Sequence, residues 1–154
     1  TNIKLEQFKE RQKEVFLKQI DLACELNLPV IVHCRSAHND LIGLLNKYGK
    51  ASRGVVHCFT GNWQEAQQYL EMGFHLGFNG IIFKLELTEV IEKTPFDRIL
   101  LETDCPYLTP PQESGRNEPL FVKHVAERIA QIKKLSYEEI SEKTTKNAKE
   151  LFNI

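Results

Sequence analysis

Four short apolar runs, rich in β-branched residues, begin near residues 29, 54, 74 and 98, with helical periodicity filling the intervals. They are Pro29-Val-Ile-Val-His-Cys34, Gly54-Val-Val-His-Cys-Phe59, Phe74-His-Leu-Gly-Phe-Asn79 and Arg98-Ile-Leu-Leu-Glu-Thr-Asp104. A recurrence of about 20–25 residues is the length of a βα unit. Continuously apolar strands suit a sheet covered on both faces. The pattern therefore predicts an α/β fold with four parallel strands and flanking helices.

The helices follow from spacing and from their ends. Residues 5–27 place Leu5, Phe8, Val15, Phe16, Leu22, Ala23 and Leu26 on one face, and Asn27 and Pro29 stop the helix. Ser36 is expected to cap a second helix with Leu41, Leu44, Leu45 and Tyr48 inward, ending at Gly49. Asn62-x-x-Glu65 opens a third, with Ala66, Tyr69 and Leu70 inward and a stop at Gly73. A short helical piece covers Leu87–Ile91, and a loop bearing Pro and Gly covers 105–116. Asn117 as cap and Pro119 in the first turn predict a helix over 118–133, and the capping box Ser136-x-x-Glu139 one over 137–152.

Size and composition set limits. With 154 residues the chain makes one domain, and a complete (β/α)8 barrel, which takes about 250 residues, is out of reach. Apolar residues are 42% and charged residues 27%, which argues against disorder. The net charge of −1 shows no basic excess, so any nucleic-acid role must come from a local site. No run approaches the ~20 apolar residues of a membrane span, and the polar first ten residues do not read as a signal peptide. Cys24, Cys34, Cys58 and Cys105 form no C-x-x-C pair, so a reduced, cytoplasmic setting is expected. The first residue is Thr1, as after removal of an initiator Met or in a partial sequence.

Three strands end in a potential metal ligand: His33, His57 and Asp104, 24 and 47 residues apart. Parallel strands gather their C-terminal ends on one face. Two imidazoles and a carboxylate converging there suit a catalytic divalent metal. Strand alternation puts Glu102 on the face of Asp104, one layer below, where a carboxylate needs a partner and would orient a His or Arg. Cys34, Cys58 and Cys105 fall on the opposite face and read as small apolar packing groups. Asn79 is placed to line the pocket, whereas His75 reads as structural. His38 either lines the pocket or is exposed, and His124 reads as a solvated helix residue. Arg35 and Arg116 are candidates for an anionic substrate. Gly77-x-x-Gly80 is too short for a phosphate loop and lacks the Lys-Ser/Thr that would follow.

Together these segments resemble the TatD family of metal-dependent deoxyribonucleases. The resemblance rests on Pro29-Val-Ile-Val-His-Cys-Arg35, Gly54-Val-Val-His-Cys-Phe-Thr-Gly61 and Ile99-Leu-Leu-Glu-Thr-Asp-Cys-Pro-Tyr-Leu108. Arg116-Asn-Glu-Pro119 and the terminal Thr145-x-Asn-Ala-x-x-Leu-Phe152 extend it to nearly the whole chain. It implies the C-terminal half of a TIM-type (β/α)8 hydrolase barrel, strands five to eight, spanning residues 1–154. It implies DNA as substrate and divalent cofactors (Mg, Mn or Zn), two in an intact barrel. His33, His57 and Asp104 then resemble metal ligands, with Asp104 also activating the attacking water. The family's His-x-His on strand one and its bridging Glu on strand four have no counterpart here.

Three functional readings follow. The first is a metal-dependent phosphodiesterase acting on DNA. The second is an amidohydrolase-type hydrolase of another substrate, since the same ligand set serves both. The third is a half-barrel without activity of its own, motivated by the incomplete ligand set.

Overall fold

The computed structural model describes residues 2–48 and 53–154. Gly49, expected to stop the second helix, lies outside the described residues, as does Thr1. The order is α1 (Asn2–Glu25), β1 (Val30–His33), α2 (His38–Tyr48), β2 (Gly54–His57), α3 (Trp63–Glu71), β3 (His75–Phe78), α4 (Thr88–Lys93), β4 (Ile99–Leu101), α5 (Val122–Lys133) and α6 (Tyr137–Phe152). Short 3₁₀ turns at Gly80–Phe83, Phe96–Arg98 and Pro119–Phe121 complete it.

The strands form one parallel sheet in the order β1-β2-β3-β4, as the βα spacing predicts. His33 pairs in register with His57, and Gly77 with Leu100. The ladder runs past the strand ends, because Phe59 N–H donates to Gly77 O and Glu102 N–H to Phe78 O, both at 2.9 Å.

One face of the sheet is packed on helices. Val32, Val56, Leu76, Phe78 and Ile99 join Tyr69, Ile91, Val125, Ile129 and Ile140 in the main core. The other face carries Ile31 and His33 on β1, Val55 and His57 on β2, and Leu100 on β4. A smaller core of Val55, Leu100 and Leu151, flanked by Ala148 and Phe152, floors this face beneath His57. Ile31 at the β1 edge is 66% exposed.

Several helix expectations hold and several are corrected. The capping boxes at Asn62 and Ser136 are both present. Ser36 does not cap α2: it has φ 53°, and the helix begins two residues later. Asn117 does not cap α5, because its amide is used elsewhere and Pro119 opens a 3₁₀ turn first. In α1 it is Ile20 that is buried, while Leu5, Phe8, Val15, Leu22 and Leu26 are exposed. The apolar arc of α1 is wider than the surface it packs on, and periodicity cannot say which edge is used.

Asn147 fixes α6 to the start of β4. It is buried, and its Nδ2 donates to Phe96 O and Ile99 O, each at 2.9 Å. Replacing it with Ala removes a donor from both carbonyls, one part-buried and one buried, at about 1–3 kcal/mol for each group left unsatisfied. Asn147→Ala should therefore destabilise the protein by about 2 kcal/mol or more, read from the denaturant midpoint. A change below about 0.5 kcal/mol would remove the anchoring role.

Candidate metal centre

The C-terminal ends of β1, β2 and β4 bring His33, His57, Glu102 and Asp104 to one side. Strand β4 stops at Leu101, so Glu102 and Asp104 lie beyond it rather than within it. The cause is local: Asp104 has φ 57°, outside strand geometry, and the chain turns away there.

His57 is at the centre. Its Nδ1 lies 2.6 Å from Glu102 Oε2 and its Nε2 lies 3.2 Å from Asp104 Oδ1. A carboxylate only accepts, so Nδ1 carries the proton for Glu102, which leaves the Nε2 lone pair facing Asp104 when the ring is neutral. Glu102 also accepts from Cys58 N–H at 3.1 Å. The carboxylate is thus held by a side chain and a backbone amide on β2, although it belongs to the segment after β4.

The path of Glu102 crosses β3, and only a glycine permits it. A Cβ built on Gly77 would overlap the Glu102 carboxylate. Gly77 is therefore part of the site without touching a ligand. Gly80 plays the same part for the loop, since a Cβ there would strike Leu108 O.

Among the described residues, the group able to share one metal ion is His57, Glu102 and Asp104, with donor atoms within 4.8 Å of one another. An imidazole nitrogen and a carboxylate oxygen on neighbouring positions of one ion are roughly 2.9–3.4 Å apart. The 3.2 Å between Nε2 and Oδ1 fits that spacing. His33 stands outside the group, exposed, with its ring centroid 5.6 Å from that of His57.

The remaining candidates are scattered. Arg35 and Arg116 are exposed. Asn79 is fully buried and does not open to solvent: its Oδ1 accepts from Ile81 N–H, and its Nδ2 is buried without a hydrogen-bond partner. Cys34 is buried and Cys58 half-buried, but Cys105 is exposed, contrary to the packing role expected of it, because the chain has left the sheet by then. His38 is buried, bonded through Nδ1 to Tyr69 Oη at 3.1 Å. His124 is not solvated: it is 8% exposed and held between Glu113 at 2.7 Å and Glu127 at 3.1 Å. Glu113 comes from the 105–116 loop, which periodicity on the helix cannot reveal.

One residue assigned a different role is central to this loop. Asn117 is 2% exposed, and its Nδ2 donates to Thr103 O at 2.7 Å and Tyr107 O at 2.5 Å. Its own N–H donates to Pro106 O at 3.2 Å. The segment on either side of Asp104 is clamped by a single buried amide.

The hydrogen bond to Glu102 raises the His57 pKa above its ordinary value, and the charges of Glu102 and Asp104 add to it. The fold therefore favours the protonated ring. That contribution to stability is complete below about pH 6.5, the unfolded value, and is lost as pH rises through the raised one. A metal requires the neutral ring, so its affinity should rise with pH over the same interval. In chelator-treated protein, NMR titration should show the His57 pKa falling toward its ordinary value in Glu102→Gln and in Gly77→Ala. An unchanged His57 titration in Glu102→Gln would refute the pairing.

Comparison with known proteins comes to the same segments. The family described as TatD related DNase matches residues 2–153. An uncharacterized metal-dependent hydrolase, YabD, of Bacillus subtilis is 49% identical over 151 residues, covering 95% of this chain and 59% of YabD. The 3'-5' ssDNA/RNA exonuclease TatD of Pantoea vagans is 39% identical over 155 residues, covering 94% of this chain and 60% of that protein. The chain thus spans about three fifths of the length of these curated relatives. The crystal structure of YjjV, a TatD homolog from Escherichia coli K12, superposes with a TM-score of 0.85 at 29% identity, over 94% of this chain and 57% of that one. The chain belongs to the TatD-related DNase family.

Proposed function

We propose that these four βα units are the C-terminal part of a (β/α)8 barrel and carry part of the active centre of a metal-dependent phosphodiesterase acting on DNA. The observation that carries the reading is the His57–Asp104 pair, an imidazole nitrogen and a carboxylate oxygen at 3.2 Å beyond parallel strand ends. The name of the Pantoea vagans relative supports the substrate class.

His57 through Nε2 and Asp104 through Oδ1 would hold the ion, and His33, one strand over, would add a second imidazole. A divalent ion there supplies Lewis acidity, making water a better nucleophile at neutral pH and offsetting charge on a phosphoryl oxygen. Asp104 is the general base: a carboxylate at the rim of the pair, side chain 29% exposed, accepts a proton from water. Glu102 fixes the tautomer and ring plane of His57 from behind. Arg35 and Arg116, both exposed, meet the anionic backbone.

Two measurements test this. Hydrolysis of single-stranded DNA should stop on chelation and return with added Mg, Mn or Zn. Asp104→Asn, which keeps size and one acceptor but loses the base, should lower turnover by about 10²–10⁴-fold. Hydrolysis that survives exhaustive chelation would refute metal dependence.

Elemental analysis addresses the ligands separately. His57→Ala should lose most of the bound metal, and Glu102→Gln, which weakens the hydrogen bond that orients His57, should lower affinity by about 10–100-fold. Metal content in His33→Ala equal to that of the unaltered protein would remove His33 from the ligand set.

A further inference from the structure

Tyr107 is the most exposed of the Phe, Tyr and Trp residues described, at 74%, although its N–H and its carbonyl are both hydrogen-bonded. Its N–H donates to Asp104 O at 2.9 Å, closing a turn that keeps the two Cα atoms within about 7 Å. Its carbonyl accepts from Asn117 Nδ2, which also reaches Thr103 O. Pro106 O accepts from Asn117 N–H, and Thr109 Oγ1 donates to Gly115 O at 2.9 Å, so the loop is stitched across its width. Its next residue, Leu108, rests on Gly80, where no side chain could be accommodated.

A singly exposed aromatic is ordinary, and what distinguishes Tyr107 is the order of the backbone that carries it. A side chain on a mobile loop would lose part of its binding energy to ordering, whereas Tyr107 stands on a backbone already ordered by a buried amide. The ring is polar at one end and presents two flat faces. The exposed cation Arg116 is covalently next to the clamp residue Asn117. An aromatic face and a guanidinium on one rigid loop, one turn from a carboxylate of the metal group, match a nucleotide: a base to stack and a phosphate to pair.

We propose that Tyr107 is a stacking platform for a nucleobase of the strand held at Asp104, so that the protein recognises bases by their flat faces rather than by their edges. The proposal rests on the nucleic-acid reading above and adds a residue that sets affinity and substrate form. A stacked base requires an unpaired one, which accords with the single-stranded substrate in the name of the Pantoea vagans relative. Because every base has a π-face, it also implies little sequence preference.

The test pairs a chemical change in the strand with one in the protein. A short deoxyoligonucleotide with phosphorothioate linkages is compared with an abasic strand of the same length and charge, each titrated in the presence of magnesium. The unaltered protein should prefer the base-bearing strand by roughly 5- to 100-fold. Tyr107→Ala should abolish that preference, and Tyr107→Phe should keep it. Circular dichroism melts of the variants establish that they fold. Equal binding of both strands by the unaltered protein overturns the platform and leaves the nucleic-acid reading standing. Binding of neither strand overturns both. A preference that persists in Tyr107→Ala overturns the assignment to this residue.

Discussion

The site depends on one carboxylate reaching across a strand. Glu102 leaves the end of β4, passes over Gly77 of β3 and meets His57 and the Cys58 amide on β2. Its side chain is only 17% exposed, so leaving it without partners would be costly. Satisfying it on β2 fixes three things together: the position of β2 relative to β4, the tautomer of His57, and the direction of the Nε2 lone pair. A change at any member of this chain acts on the others, including Gly77, which has no functional group.

The loop after Asp104 is organised on the same principle. Asp104 sits in a left-handed conformation, which an aspartate tolerates better than most residues but which still needs support from its surroundings. Asn117 gives that support by binding the backbone on both sides of it, at Thr103 and Tyr107. His124 on α5 then secures the far part of the loop through Glu113. The carboxylate offered at the mouth is therefore held by a buried amide and a buried imidazole that lie outside the candidate metal group.

Much of this was legible in the sequence, and the part that was not shares one cause. The repeat of βα units gave the parallel sheet, and recurrence of polar residues after apolar runs brought His33, His57 and Asp104 to one end. Asn62 and Ser136 announced their helices through capping boxes that depend on residues three apart. The failures involve partners distant in sequence. Nothing local to Asn117 says that it binds Thr103 rather than a helix end, or that His124 is covered by Glu113. The roles of Gly77 and Gly80 appear only once Glu102 and Leu108 are placed over them. In α1 the periodic stripe was real, but the protein buries Ile20 beside it.

Electrostatics links the candidate centre to the substrate class proposed for it. The cluster sets two carboxylates against one imidazole, so it is negative in either protonation state of His57, and the whole chain is at −1. A phosphodiester is itself an anion and would be repelled by such a mouth. If His57 and Asp104 hold a divalent cation as proposed, the local sign would be reversed and the mouth made favourable to an anion. The exposed arginines, 35 and 116, carry charges that solvent and salt screen over about 8–10 Å. They can guide a strand whose nearest phosphate is already held. On the proposed reading, a chain of net charge −1 would meet a polyanion through a few groups whose charge is local, with a flat contact such as the Tyr107 face adding affinity that salt does not screen.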